Sequence, residues 1–442
     1  MVGQLVLALS ILVGLHEFGH LIFAKLFGMR VEQFSIGFPP KVFGFKVGDT
    51  VYSIGAIPLG GYVKISGMID ESLDTKHLDK EPEPWEFRAK PAWQRLIVMI
   101  GGIVVNVITG IVIFVILTYK FGESYIPKDE VNKYGIVAYQ LGEEIGFLTG
   151  DKIVAINGHD FEKFNDVRSP DLLLESNSYY TIERNGKMID LPIPSNFIEY
   201  FSDRNADAEF IEPITPFEVG KLLKGTGAEK GGLKPGDRIV SINDQPVSFF
   251  HELKPLLGLY AGKVAAIEVD RPMGISPENL TYTRELLQIS IAEDSTIGFY
   301  PVYLLATRSF DYTFLEAIPV GTARAFSVVW VNIKAFGKIF KGELSPTKSL
   351  RGPLGIMKTF GVTWDWVRFW TLTGLLSMIL AFMNLLPIPA LDGGHVMFLV
   401  YEIVSGKKPS DKFLENAQKV GMVLLLGLMV FIFFNDIIQE FF

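Results

Sequence analysis

The chain has 442 residues, 49% apolar and 20% charged, with a mean hydropathy of +0.30 and a formal net charge of -8. So positive a hydropathy implies membrane segments and excludes disorder, collagen and coiled coil, while the acidic balance argues against a nucleic-acid partner. There is no cysteine, which excludes disulfides, thiolate metal sites and cysteine nucleophiles and leaves His, Asp and Glu to hold any metal.

Residues 5–27 form the first apolar run, interrupted in its second half by His16, Glu17, His20 and Lys25. With no Lys or Arg before Lys25 and no small-residue cleavage site, it reads as an uncleaved span. His16-Glu17-Phe18-Gly19-His20 puts two imidazoles on one helix face, where both reach one ion, with Glu17 beside them to take a proton from bound water. Each ionisable residue at the bilayer centre costs on the order of 2.5–3.5 kcal/mol by insertion scales. The cluster therefore needs a compensating partner, and a zinc ion facing the bundle interior supplies one. Soluble zinc helices carry a further His where this chain has Leu26, so a third ligand must come from another span.

Residues 51–65 read as two short apolar strands around Pro58-Leu59-Gly60-Gly61. They form either a plain cytoplasmic hairpin or one dipping into the membrane, whose edge would hold an extended substrate. Residues 85–94, with Trp85, Phe87 and Trp93, read as an interfacial helix. Residues 96–118 are uncharged and long enough to cross as a helix. Gly101, Gly102 and Gly110 allow close packing there, and Asn106, the one amide, is expected to bond backbone or substrate.

An internal repeat follows. Gly146 to Gly158 and Gly232 to Asp244 share Gly-Asp, a gap, Ile-Val, a gap and Ile-Asn, at an offset of 86 residues. Each copy predicts a tight Gly turn, a strand and an Asn turn. The pattern resembles PDZ domains of the kind found in bacterial envelope proteases. That resemblance implies two small β domains, about 122–213 and 214–305, which capture a peptide by strand addition, with residues 230–234 near a carboxylate-binding loop.

Residues 312–341 predict an amphipathic helix interrupted by Arg324, Lys334, Lys338 and Lys341, expected to lie on the membrane surface, with a fifth span as the alternative. The third span, 369–391, ends in Asn384-Leu-Leu-Pro387-Ile-Pro389-Ala-Leu391-Asp392-Gly393-Gly394-His395. The prolines break the helix and aim Asp392 inward as the candidate third ligand, with His395 competing. Residues 420–434 are the fourth span. Lys25, Arg30, Lys90 and Arg95, with Lys407, Lys408, Lys412 and Lys419, put loops 28–95 and 392–419 in the cytoplasm and both termini and 119–368 outside.

His16, Glu17 and His20, then Asn384, Pro387, Leu391, Asp392 and Gly393, together resemble the site-2 protease family of intramembrane zinc metalloproteases. The two inserted repeats, Gly37-Phe38-Pro39-Pro40, 58–64 and 90–95 resemble its sigma-E-regulating bacterial branch. Pro39 stands where the family's Gly-Phe-Gly signature has glycine. The resemblance implies a polytopic α-helical membrane protein of about four transmembrane helices, with a membrane-dipping β-hairpin and two PDZ-like domains. Its parts would be 1–121 and 369–442 as membrane core, the two β domains, and an interfacial helical region over 306–368. It implies zinc on His16, His20 and Asp392, Glu17 as general base, and substrate contacts from Asn384, Gly60, Gly61, Tyr62 and Val63. It further implies location in the bacterial inner membrane and single-pass substrates already shortened by an upstream site-1-type protease, such as an anti-sigma factor or a remnant signal peptide. The repeats would then act as a size filter. A zinc transporter and a non-catalytic PDZ scaffold are the rival readings. The transporter predicts pseudo-symmetric spans and the scaffold predicts loss of Glu17 or a ligand.

Overall fold

The computed structural model describes residues 1–68, 81–201, 210–273, 281–350 and 352–441. It forms two compact units, residues 1–123 with 310–442, and residues 124–309.

The first unit holds α1 (Val2–Leu26), β1 (Val31–Val47), β2 (Thr50–Ile65), α2 (Ala92–Phe121), α3 (Phe314–Phe340), α4 (Pro353–Thr359), α5 (Trp366–Leu385), α6 (Asp392–Ser405) and α7 (Asp411–Phe441). Among the described residues α1, α2, α3, α5 and α7 have the length and apolarity to cross a membrane.

Side-chain pairings fix their directions. His20 meets Val98 and His16 meets Asn106, so α1 and α2 run antiparallel. Ser377 donates to the Asn106 carbonyl at 2.8 Å and Gly374 packs on Ile113, so α5 runs against α2 and with α1. Near its start α7 meets His395 through Gln418. Near its end, buried Asp436 accepts from the backbone N–H of Gly352, Leu354 and Gly355 at 2.7–3.1 Å. These residues begin α4, beside a cluster of Ala8, Phe360 and Phe369. Thus α1, α2, α5 and α7 alternate in direction.

Expected on the membrane surface, α3 packs along α2 and α5. A Cβ on Gly321 would lie 2.6 Å from the Val115 nitrogen, Arg324 donates to Thr118 at 3.0 Å, and the Phe336 and Phe382 rings are 5.8 Å apart. It starts beside Tyr119, at the end of the bundle that carries the N-terminus of α1, and by Gly352 the chain is back at that end.

Three sequence expectations change here. Residues 85–94 are not one helix: a single 3-10 turn covers Phe87–Ala89, Lys90 is extended ahead of Pro91, and α2 begins at Ala92. The third span ends at Leu385, six residues early, because Pro387 and Pro389 cannot continue the ladder, and Asp392 opens a new helix. Residues 51–54 and 61–64 are both strand, but they do not pair with each other. They flank β1, with Phe34 facing Tyr52 on one side and Val63 on the other. The turn lies at Gly48-Asp49, and the arm 61–65 is an outer edge of this sheet.

The second unit has two hydrophobic cores, one among residues 131–211 around Phe147, Phe164, Tyr180 and Phe197, the other among 217–297. Strands β3 (Lys152–Ile156), β4 (Tyr179–Arg184) and β5 (Lys187–Pro192) form an antiparallel sheet. Strands β6 (Arg238–Ile242), β7 (Gln245–Pro246), β8 (Val264–Met273) and β9 (Thr281–Ser290) form another, ordered β7-β6-β8-β9. The repeated residues have matching structural duties. Buried Asp151 pairs with Arg184 through contacts of 2.6 and 2.7 Å, and buried Asp237 with Arg271 through contacts of 2.7 and 2.8 Å. Asn157 and Asn243, both at positive φ, accept from Tyr179 and Ala266. The repeat is conserved between copies because each Asp neutralises an Arg and each Asn closes a turn.

Candidate metal centre

The helical spacing of His16 and His20 brings both rings to the face of α1 that meets α2. A Cβ on Gly101 would lie 2.8 Å from the Gly19 carbonyl oxygen, so only glycine permits this crossing. Gly102 goes further: a Cβ there would lie 2.5 Å from His20 Nε2 and 2.6 Å from His16 Cε1. The missing side chain is the space the imidazoles occupy.

Both histidines are buried, and His16 Nε2, His20 Nε2 and Asp392 Oδ2 converge. The separations are 3.3 Å between the rings, 3.1 Å from His16 to Asp392 and 3.4 Å from His20 to Asp392. His20 Nδ1 lies 2.8 Å from the Val98 carbonyl. A carbonyl only accepts, so Nδ1 carries the proton and Nε2 presents a lone pair. The Asn106 amide reaches His16 Nδ1 at 3.1 Å, while its Oδ1 is otherwise buried without a partner. With its oxygen turned to the ring, the amide accepts the Nδ1 proton and leaves His16 Nε2 unprotonated.

Asp392 Oδ2 is itself buried without a hydrogen bond. Three lone pairs at this spacing repel one another unless a cation lies among them. The donor edges of a tetrahedral zinc site, with bonds of about 2.0–2.1 Å, are about 3.3 Å. Two imidazoles and one carboxylate, with no thiolate, therefore fit zinc by donor type and spacing. His395, the competing ligand, is outside this donor group and hydrogen-bonds Gln418 at 3.0 Å.

A cavity of about 560 Å³ opens onto the three donors. Glu17, Gly61, Tyr62, Val63 and Asn384 all line it, and Gly60 does not. Gly60 instead makes room for the Phe38 ring. A Cβ on Gly61 would lie 2.7 Å from the Ser35 oxygen and 3.4 Å from Glu17 Cγ, so the edge arm lies directly against the acid. Asn384 Nδ2 is 3.3 Å from His16 Nε2.

The sequence profile of peptidase family M50 matches residues 4–428. The chain belongs to peptidase family M50. This M50 peptidase is 28% identical to the regulator of sigma E protease of Haemophilus influenzae, over 99% of this chain and 98% of that one. It is also 28% identical to the regulator of sigma-E protease RseP of Escherichia coli, over 98% and 97%. A Neisseria meningitidis protein named as a zinc metalloprotease matches at 28%, over 98% and 97%. M50 peptidases are zinc-dependent metalloendopeptidases, which sets aside the transporter and scaffold readings.

Sequence reasoning gave Gly102 only a packing duty, and gave Asn106 a bond to backbone or substrate rather than to His16. The available signal for Asn106 was an amide in an uncharged span, which must find a partner. Gly102→Ala is expected to lower zinc affinity about 10- to 100-fold. Gly110→Ala, which meets only flexible Met378 and the Gly374 backbone, is expected to bind zinc normally. Competition with a zinc chelator, read on both purified variants, checks this; equal affinities would contradict the role of Gly102.

Proposed function

We propose that this M50 peptidase hydrolyses a peptide bond inside the membrane-spanning segment of single-pass membrane proteins. The observation that carries the reading is a single cavity, within a bundle of apolar helices, that joins His16, His20, Asp392 and Glu17 to the outer edge of a strand. A helical substrate hides its carbonyls in its own hydrogen bonds, so it must unwind before attack. The arm 61–65 offers backbone donors and acceptors to the unwound chain.

His16, His20 and Asp392 hold the zinc, which when bound supplies a Lewis acid for the scissile carbonyl and the attacking water. Glu17 takes the water proton as oxygen bonds to the carbonyl carbon. It then delivers that proton to the nitrogen as the C–N bond breaks. Asn384, beside His16, donates to the carbonyl oxygen as charge develops on it. Tyr62, Val63 and Gly61 carry the substrate backbone.

The relatives named as regulators of sigma-E protease support a substrate such as an anti-sigma factor, or a remnant signal peptide, already shortened outside by another protease. The two repeated β domains, PDZ-like in their repeat pattern, act as a size filter for such substrates. Four helices of alternating direction support a four-span protein of the bacterial inner membrane. The Lys and Arg distribution supports placing the termini and the β domains on the periplasmic side.

Glu17→Gln is expected to keep zinc and lose cleavage by about 10²–10⁴-fold. His16→Ala, His20→Ala and Asp392→Ala are expected to lose both. Elemental analysis beside cleavage of a trimmed transmembrane substrate checks this, and a fully active Glu17→Gln enzyme would overturn the assignment. For orientation, single cysteines at the exposed Ser176 and Ser248 should react with an impermeant thiol reagent in cells with a permeabilised outer membrane. One at Ser410 should not, and its labelling would reverse the topology.

A further inference from the structure

An extended peptide has two hydrogen-bonding edges. Pairing with the arm 61–65 satisfies one; the other faces the helices, where an unpaired amide is costly. On the side away from the sheet the apolar lining is Met99 of α2 with Ala390 and Leu391 of the turn before α6. Beyond the metal donors and Glu17, the polar side chains on that side are Asn384, His395 and Gln418. Asn384 sits at the reacting centre, 3.3 Å from His16 Nε2.

Gln418 of α7 is only 4% exposed, yet it lines the cavity. Among the described residues it makes one hydrogen bond, from its Nε2 to His395 Nε2 at 3.0 Å, with the ring nitrogen accepting. Its Oε1 accepts none there and is not sealed from the cavity. A structural tie between α6 and α7 would use only that one N–H. The remaining carbonyl and second N–H are the two groups of a peptide unit, held at a fixed position by the imidazole.

We propose that Gln418, positioned by His395, pairs with a backbone amide on the second edge of the bound substrate, so that α7 helps set where in a segment the enzyme cuts. This rests on the proteolytic reading above. The test uses the full-length zinc enzyme in lipid nanodiscs. The substrates are transmembrane peptides in which successive backbone amides near the scissile bond are replaced one at a time by esters, each removing one N–H. The wild type is expected to lose about tenfold in kcat/KM at one position attributable to Gln418, separate from those read by the arm 61–65. Gln418→Leu and Gln418→Met should lose about tenfold on the all-amide peptide and show no further loss from that one ester, with zinc content unchanged. His395→Ala, which keeps the Gln418 amide but frees it, should shrink the penalty at the same position, and it decides the matter if the Gln418 variants do not fold. An ester profile identical in wild type and variants would overturn the proposal while leaving the protease reading standing. Failure of the wild type to cut the all-amide peptide would sink that reading instead.

Discussion

Three lone pairs held 3.1–3.4 Å apart in an apolar bundle are the constraint on which the rest of this structure depends. Without a cation they repel. Each is held in place by groups that do not touch the ion. Val98 fixes the tautomer of His20, Asn106 that of His16, and the break at Pro387 and Pro389 turns the chain so that Asp392 begins a helix beside α1. The metal centre is thus a joint between helices as much as a reactive group.

The crossing of α1 and α2 shows how sequence produces that joint. Gly19 and Gly101 bring the two backbones together, and Gly102 leaves the room that the two rings fill. The same economy holds at the strand edge, where Gly61 lets the sheet lie against Glu17 and Gly60 admits the Phe38 ring beneath. At the other end of the bundle, Asp436 closes three backbone N–H groups of α4, and Asn435 bonds the Thr347 carbonyl at 2.8 Å. These two polar residues near the end of the last helix are fasteners.

Much of this was legible in the sequence. The His16-Glu17-x-x-His20 spacing sets one face of a helix by geometry alone, and the paired prolines mark where the third long helix must stop. The 86-residue repeat announced two similar β elements, although their paired arginines, Arg184 and Arg271, carry no local pattern and became visible only in the fold. Local pattern also could not say that residues 51–54 and 61–64 flank β1, because strand partners are chosen by tertiary contacts. Nor could it say that Gln418 reaches the cavity, since it lies 26 residues beyond Asp392 on another helix.

The central claim is that His16, His20 and Asp392 jointly hold one zinc ion. X-ray absorption at the zinc edge of the purified, membrane-reconstituted protein tests it most directly. Four light-atom ligands are expected at about 2.0–2.1 Å, two of them with the outer-shell scattering of imidazole. Asn106→Leu, which removes the partner of His16, is expected to weaken zinc binding while the remaining bound ion keeps that environment. A six-coordinate ion without imidazole scattering, or one imidazole only, would contradict it.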